Sequence, residues 1–241
     1  MALKLESSMT DLMTSLAVVF IMLMLALAQN NARGSITKIE EISKQINKEL
    51  EKDDLSCVIK NDDPLACTIE VKEDKLKFST GNYACDNNCE SFLEKVFIER
   101  IIKILISTGK YKDFIQGVYI EGFTDDVGDD NANLDLSQNR SLSIGTYILN
   151  YYQKNLTTQE RYTTLLEWLY LIGRGEQDLK YYSFLTDDVA WDSLSVKSNF
   201  IENNSKFIDI NRDASRRVEI TIRVKSNEQR AAIASNLKDL R

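Results

Sequence analysis

The chain has no histidine in its 241 residues. That excludes the Ser-His-Asp and Cys-His arrangements of nucleophilic catalysis, the HExxH zinc site and the two-histidine facial triad. Proline occurs once and glycine nine times, too few for a collagen-like or proline-rich chain. Basic residues are the minority charge: 30 Lys and Arg against 37 Asp and Glu leave a formal charge of −7. A net acidic chain has no electrostatic grip on phosphates, so direct nucleic-acid binding is not expected. Enzymatic activity, a resident metal and an organic cofactor are not expected either. What the chain does have, 43% hydrophobic and 28% charged residues, is the composition of a folded domain and not of a disordered one. Its length suits one domain with appendages.

Cysteine is also scarce. Cys57, Cys67, Cys85 and Cys89 are the four, all between residues 50 and 90. An even, clustered set indicates disulfides in an exported chain, and metal or nothing in a cytosolic one. The CxxxC of Cys85 and Cys89 with a distant second pair is not a zinc-knuckle spacing. LSCVIK and ACTIEVK are β-rich runs joined by NDDPLA, whose Pro64 suits a turn, so Cys57 and Cys67 can face each other across a hairpin. Cys85 and Cys89 are near neighbours where a helix begins. Pairing 57–67 with 85–89 is the simplest of three connectivities, and the other two remain open.

One long apolar run breaks the polar pattern. Leu12 to Ala28, LMTSLAVVFIMLMLALA, is seventeen residues without a charge, about 25 Å as a helix and the short end of a membrane span. A cleaved signal peptide is the alternative, and the Ala26–Ala28 pair resembles a cleavage site. Against it, MALKLESSMTD carries one Lys and two acids where a basic leader would stand. Lys4 precedes the run while Arg33 and Lys38 follow it, a weak guide to orientation. The cysteines favour an N-terminus in the cytoplasm and the bulk of the chain in an oxidising periplasm. Asp11 sits where the helix enters the apolar layer, with Ser8 one turn before and Thr14 and Ser15 one turn after. An acid within a span costs about 2.5–3.5 kcal/mol even on lenient scales, so it marks an ion path or a partner, or else caps the helix. TDLMTSLAVVFIMLML resembles the span of the MotB family of stator subunits. That resemblance implies that Asp11 carries the transported ion, a proton or sodium.

Beyond the run, Ile36, Ile39, Ile42, Ile46 and Leu50 recur at spacings of 3, 3, 4 and 4 on an otherwise polar helix. A narrow stripe suits a two-stranded seam. The helix is expected to leave the membrane and pair with its twin as a homodimer; an amphipathic helix laid on its own domain is the other reading.

From about residue 74 strands and helices alternate. DKLKFS reads as a short strand, and Phe92 to Leu105 as an amphipathic helix. VYIEG ends a second strand at glycine, DLSQNRSLSIGTYILNYY reads as a helix, and WLYLIGRGE as a strand and turn. RRVEITIRV alternates strictly at Val218, Ile220, Ile222 and Val224. The order indicates an α+β fold, a mixed β-sheet with helices packed on one face. IEGFTDDVGDDNANLDLSQNRS resembles the signature of OmpA-like peptidoglycan-binding domains at Glu121, Gly122, Thr124, Asp125, Gly128, Asn133, Leu136, Ser137 and Arg140. Arg174–Glu176 resembles that family's later turn, and Ser215–Ile220 its last strand. Departures are Phe123 for the usual His, Ser141 for Ala, Ser215 for Asn, and a long insertion at 176–214. By this resemblance Asp125 and Arg140 clamp the ammonium and carboxylate of a diaminopimelate side chain, supported by Thr124, Asn133 and Arg216. The pairing suits the chemistry: a zwitterion needs one fixed anion and one guanidinium able to bind carboxylate bidentately. A direct Asp125–Arg140 ion pair is the structural alternative. DDVGDDNAN lacks the spacing and terminal Glu of a calcium loop.

The expected organisation is a cytoplasmic N-terminus at 1–9, a transmembrane helix at 10–29, a linker helix at 30–52, a cysteine-bearing hairpin at 53–73, an OmpA-like domain at 74–225 and a C-terminal helix at 226–241. Span, linker and wall anchor in this order resemble a MotB-type stator subunit of the bacterial inner membrane. A polytopic MotA-like partner is implied, about five copies in a closed ring around two such chains, closed symmetry being the rule for such assemblies. The short N-terminus and the cysteine hairpin favour the B subunit of the Zorya anti-phage defence motor over a flagellar one. A passive envelope tether is the rival reading.

Overall fold

The computed structural model describes residues 2–76, 78, 82–107, 109–155, 159–177, 179, 211–230 and 232–233, with side chains left aside at 2–12, 25–33, 73–74, 107, 159–161 and 213. Helix α1 runs unbroken over Ala2–Leu50, roughly 74 Å at helical rise. It contains one glycine and no proline, so nothing in its sequence forces a kink. From Met13 to Met24 every side chain is exposed, Leu16 at 70% and Phe20 at 63%. Among the described residues no helix is long and apolar enough to cross a membrane. The expected span at 10–29 extends past the described side chains at both ends, and the side chain of Asp11 lies outside them.

The lower half of α1 behaves differently. Ile39, Ile42, Ile46 and Leu50 are fully buried in the hydrophobic core of the chain's own domain. The expected seam with a twin is thereby corrected: the stripe is consumed within one chain. A narrow apolar stripe specifies only that one face is covered, and the sheet that follows in sequence covers it.

Five strands form one mixed sheet in the order β1-β2-β5-β3-β4: β1 Cys57–Val58, β2 Ala66–Lys72, β3 Ile115–Gly122, β4 Leu169–Gly173 and β5 Arg217–Val224. β3 pairs with β4 in parallel, and the other pairs are antiparallel. The hairpin around the first two cysteines is not a separate unit, because β2 pairs with β5 along its whole length. Val71, Ile69 and Cys67 lie opposite Val218, Ile220 and Ile222, which in turn face Gly122, Ile120 and Val118, giving one apolar face. Thr68, Glu70, Tyr119, Glu121, Glu219, Thr221 and Arg223 alternate onto the other. Of DKLKFS, expected as a strand, Asp74 to Leu76 instead belong to the helical turn α2 at Glu73–Leu76, and Lys77 and Ser79 lie outside the described residues. Leu76 and Phe78 are both buried, but two apolar residues are too few to fix a period of two.

Three consecutive helical segments follow: α3 Asn87–Phe92, a wider π-type stretch Leu93–Ile102 and α4 Lys103–Ser107. Helices α5 Asp130–Asn155, α6 Gln159–Trp168 and α7 Arg212–Ser215 complete the domain. The 176–214 insertion lies outside the described residues at 178 and 180–210. Of the expected C-terminal helix, 227–230 and 232–233 are helical and the remainder lies outside them.

Side-chain amides close both sheet edges. On the β1 side, the Cys57 N–H donates to Asn47 Oδ1 at 2.6 Å, while Asn47 Nδ2 and Ser43 Oγ donate to the Cys57 carbonyl at 3.1 and 3.0 Å. On the β4 side, the Gly173 N–H donates to Gln138 Oε1 at 2.7 Å and Gln138 Nε2 donates to the Leu171 carbonyl at 3.4 Å. Each amide offers the donor and acceptor that another strand would, which blunts an edge open to pairing with a second chain.

Candidate ligand site at the strand ends

β3 and β4 end side by side at Gly122 and Gly173, and the start of α5 lies against both. A Cβ on Gly122 would stand 2.3 Å from the Ser137 carbonyl oxygen, and one on Gly173 would stand 2.6 Å from the Gln138 nitrogen. Only glycine allows this approach. Ser137, fully buried, accepts from the Gly175 N–H at 2.9 Å and fixes the turn after β4. That turn in turn holds the loop after β3, since the Thr124 N–H donates to the Gly175 carbonyl at 2.8 Å.

Loop 123–129 is gripped from the other side by the 212–217 segment. The ring centroid of Phe123 is 3.9 Å from the Arg217 guanidinium carbon. Arg216 Nη1 donates to Asp125 Oδ2 at 2.7 Å, and Arg212 binds Asp126 bidentately at 2.7 and 3.0 Å. The Arg212 hydrogen bonds hold the Asp126 carboxyl below its ordinary range. Asp125 is 8% exposed. Its Oδ1 accepts from the Val127 N–H at 3.2 Å, and its carbonyl accepts from Asn133 Nδ2 at 3.3 Å. Gly128 turns the loop at φ 115°, a left-handed conformation that suits glycine.

Arg140 lies seven residues beyond Asn133, two turns along the same face of α5 and roughly 10 Å from it. It is 2% exposed. Its Nε donates to the Asn82 carbonyl at 3.1 Å, and its guanidinium lies 5.2 Å from the Phe78 ring centroid. Thr124 is 2% exposed, and its Oγ1 is buried with no hydrogen-bond partner among the described residues. An unsatisfied buried hydroxyl is uncommon and calls for an explanation. Glu176 faces Asp130: their shared hydrogen bond, followed by burial and the charges of Asp130, Asp126 and Asp125, raises the Glu176 carboxyl above its ordinary value. Among the described residues no group of three or more Cys, Asp or Glu is placed to hold a metal ion.

Thr124, Asp125, Asn133 and Arg216 thus meet at one point, with Arg140 two turns away along α5. The alternative of an Asp125–Arg140 ion pair is not what forms, because the Asp125 carboxylate takes Arg216 instead. Sequence reasoning missed Arg212, Phe78 and Asn82, and the edge role of Gln138. Only Arg212 left a signal, its place four residues before Arg216 in the same short motif. The cysteines pair as 57–67 and 85–89, with Cα separations of 5.5 and 5.2 Å. Cys57 stands directly opposite Ile69, so its bridge to Cys67 runs diagonally across the hairpin.

No protein-family model matches the chain, and no curated protein matches it in sequence. Among solved structures it is similar to the cell wall anchor of the T6SS from Pseudomonas aeruginosa, at 16% identity over 76% of this chain and 97% of that one, with a TM-score of 0.41. It is also similar to the periplasmic domain of Helicobacter pylori MotB, at 18% identity over 77% and 97%, TM-score 0.41. The OmpA-like domain of FopA1 from Francisella tularensis is a third, at 14% over 71% and 81%, TM-score 0.33. At such scores the likeness carries no functional weight; the side chains at the strand ends do.

Proposed function

We propose that this chain is the wall-anchored, single-span subunit of an ion-driven motor of the MotB type, and that it is not an enzyme. The observation that carries the proposal is the pair of buried opposite charges, Asp125 just past the end of β3 and Arg140 on α5. Asp125 stands on the loop after β3 and Arg140 on α5, two turns beyond the Asn133 that holds that loop, and on this reading a zwitterion lies between them. A diaminopimelate side chain offers its ammonium to Asp125 and its carboxylate to Arg140. The Thr124 hydroxyl, with no partner among the described residues, is available to the same ligand, and Asn133 and Arg216 hold the Asp125 loop. Asp11, in the apolar half of α1, binds the transported proton or sodium ion. The uniformly exposed Met13–Met24 segment crosses the bacterial inner membrane beside a polytopic MotA-like ring and a second copy of this chain. The N-terminus then lies in the cytoplasm and the disulfide-bonded domain in the periplasm. Within this class the bridged hairpin favours the Zorya anti-phage motor over a flagellar stator.

The test is co-sedimentation of the full chain, in detergent, with purified sacculi. Wild type pellets with the wall. Asp125→Ala and Arg140→Ala each stay in the supernatant, because half of a desolvated zwitterion loses its partner at about 2–5 kcal/mol, tens- to thousands-fold in affinity. Variants that pellet like wild type would overturn the clamp. A chain that binds the wall but never copurifies with a polytopic subunit would be a passive tether.

A further inference from the structure

The two disulfides sit in different surroundings. Cys57 and Cys67 are 2% and 0% exposed, enclosed between α1 and the sheet. In the second bridge Cys89 is fully buried but Cys85 is only half-buried. Cys85 also ends the loop that holds Arg140. The Asn82 carbonyl accepts from Arg140 Nε, Asn82 Oδ1 accepts from the Tyr83 and Ala84 N–H groups at 2.8 and 3.1 Å, and the Cys85 N–H donates to Ser143 Oγ at 3.2 Å. Asp86 then accepts from the Asn88 and Cys89 N–H groups, both at 2.9 Å, and starts α3. Arg140 and Ser143 are neighbours on α5, so the loop is tied to one helix face at both ends, and the bridge fastens it to the core through Cys89.

We infer that the Cys85–Cys89 bridge is a positioning element for Arg140. With the bridge closed, Asn82 fixes the guanidinium for a ligand carboxylate; with it open, the loop leaves α5 and Arg140 loses its aim. This rests on the wall-binding reading given above. Opening requires a dithiol. One of its thiolates attacks Cys85 Sγ and expels the Cys89 thiolate, and its second thiol then displaces Cys85 from the mixed disulfide. Two electrons pass to the bridge, two protons end on Cys85 and Cys89, and the dithiol is left as its own disulfide. The exposure difference directs the reagent to this bridge before the buried one.

The experiment compares the oxidised full chain in detergent, the same protein treated briefly with a small dithiol, Cys85→Ser/Cys89→Ser and Cys57→Ser/Cys67→Ser. The probe is a soluble muropeptide ending in diaminopimelate. Opening 85–89 by either route is expected to weaken binding at least tenfold with a small change in thermal midpoint. Opening 57–67 is expected to lower the midpoint and leave affinity within twofold. Ser143→Ala, which keeps both bridges, is expected to weaken binding severalfold. A ligand-free readout accompanies these: the Arg140 Nε–H should exchange slowly by NMR in the oxidised chain and rapidly once 85–89 is open. Unchanged affinity and unchanged Nε–H protection in Cys85→Ser/Cys89→Ser would overturn the inference. If oxidised wild type binds no muropeptide, the wall-binding reading fails, and the Nε–H exchange still decides whether the bridge positions Arg140.

Discussion

The two halves of α1 share one continuous backbone and differ in everything their side chains meet. From Met13 to Met24 apolar side chains point outward all the way round and stay exposed. From Ile39 to Leu50 the apolar residues keep to one stripe, and that stripe is fully buried. A helix apolar all round requires an apolar medium or a ring of partners, whereas a striped helix requires one covering surface. The difference teaches where the helix stops exposing its apolar side chains and starts to bury them. It also shows that the lower half is part of the folded domain and not a tether. Ser35 Oγ donates to the Lys225 carbonyl at 2.9 Å, and Asn47 closes the edge of β1. A fragment beginning at residue 53 would therefore lack part of its own core.

The largest expected effect lies in the upper half. On the proposed ion-motor reading Asp11→Asn removes the ion-carrying carboxylate, so ion-driven function should disappear while the assembly and the outer domain remain intact. Phage protection, or motility if the neighbouring genes are flagellar, reports it. Full activity in Asp11→Asn cells would leave the upper half with only an anchoring role.

A second pair of substitutions sets the halves against each other directly. Ile42→Ala opens a cavity in the core and should destabilise the domain by about 2–5 kcal/mol. Phe20→Ala, a larger truncation, should leave the domain's unfolding in detergent unchanged. Near-UV circular dichroism through a denaturant series measures both. Equal effects would mean that the two halves form one folding unit.

The smallest effect is electrostatic. Glu41, on the lower half, is held down to about 2 by hydrogen bonds from Lys110 and Lys38. A carboxyl whose pKa falls on folding adds stability above its ordinary value, 4.5, and that stability is lost as pH drops from there toward 2. The pair is partly solvated, so the contribution is modest. Wild type should lose slightly more stability than Glu41→Gln across that window, and parallel pH profiles would remove the contact from the account.

The sequence made some of this legible and hid the rest for identifiable reasons. Strict alternation at Val218, Ile220, Ile222 and Val224 marked β5 because one face of that strand is core and the other is not. The glycine closing VYIEG marked the end of β3, and the simplest cysteine pairing is the one formed. The destination of the Ile39–Leu50 stripe was not legible, since spacing reports that a face is covered and not by what. Asn47 and Gln138 read as ordinary polar helix residues. Their role depends on which strand edge lies beside them, a tertiary fact. Arg216 was expected to support the site, yet that it binds Asp125 itself follows only from how α7 enters β5.

The central claim is that Asp125 and Arg140 read the two ends of one zwitterion. The direct measurement is calorimetry of the full chain with two muropeptides, one ending in diaminopimelate and one in lysine, which keeps the ammonium and lacks the carboxylate. Wild type should prefer diaminopimelate by tenfold or more, about 1.4 kcal/mol or above, and Arg140→Ala should bind both equally weakly. Asp125→Ala should lose affinity for both. A preference for diaminopimelate that survives in Arg140→Ala would contradict the account, because the carboxylate would then be read by some other group.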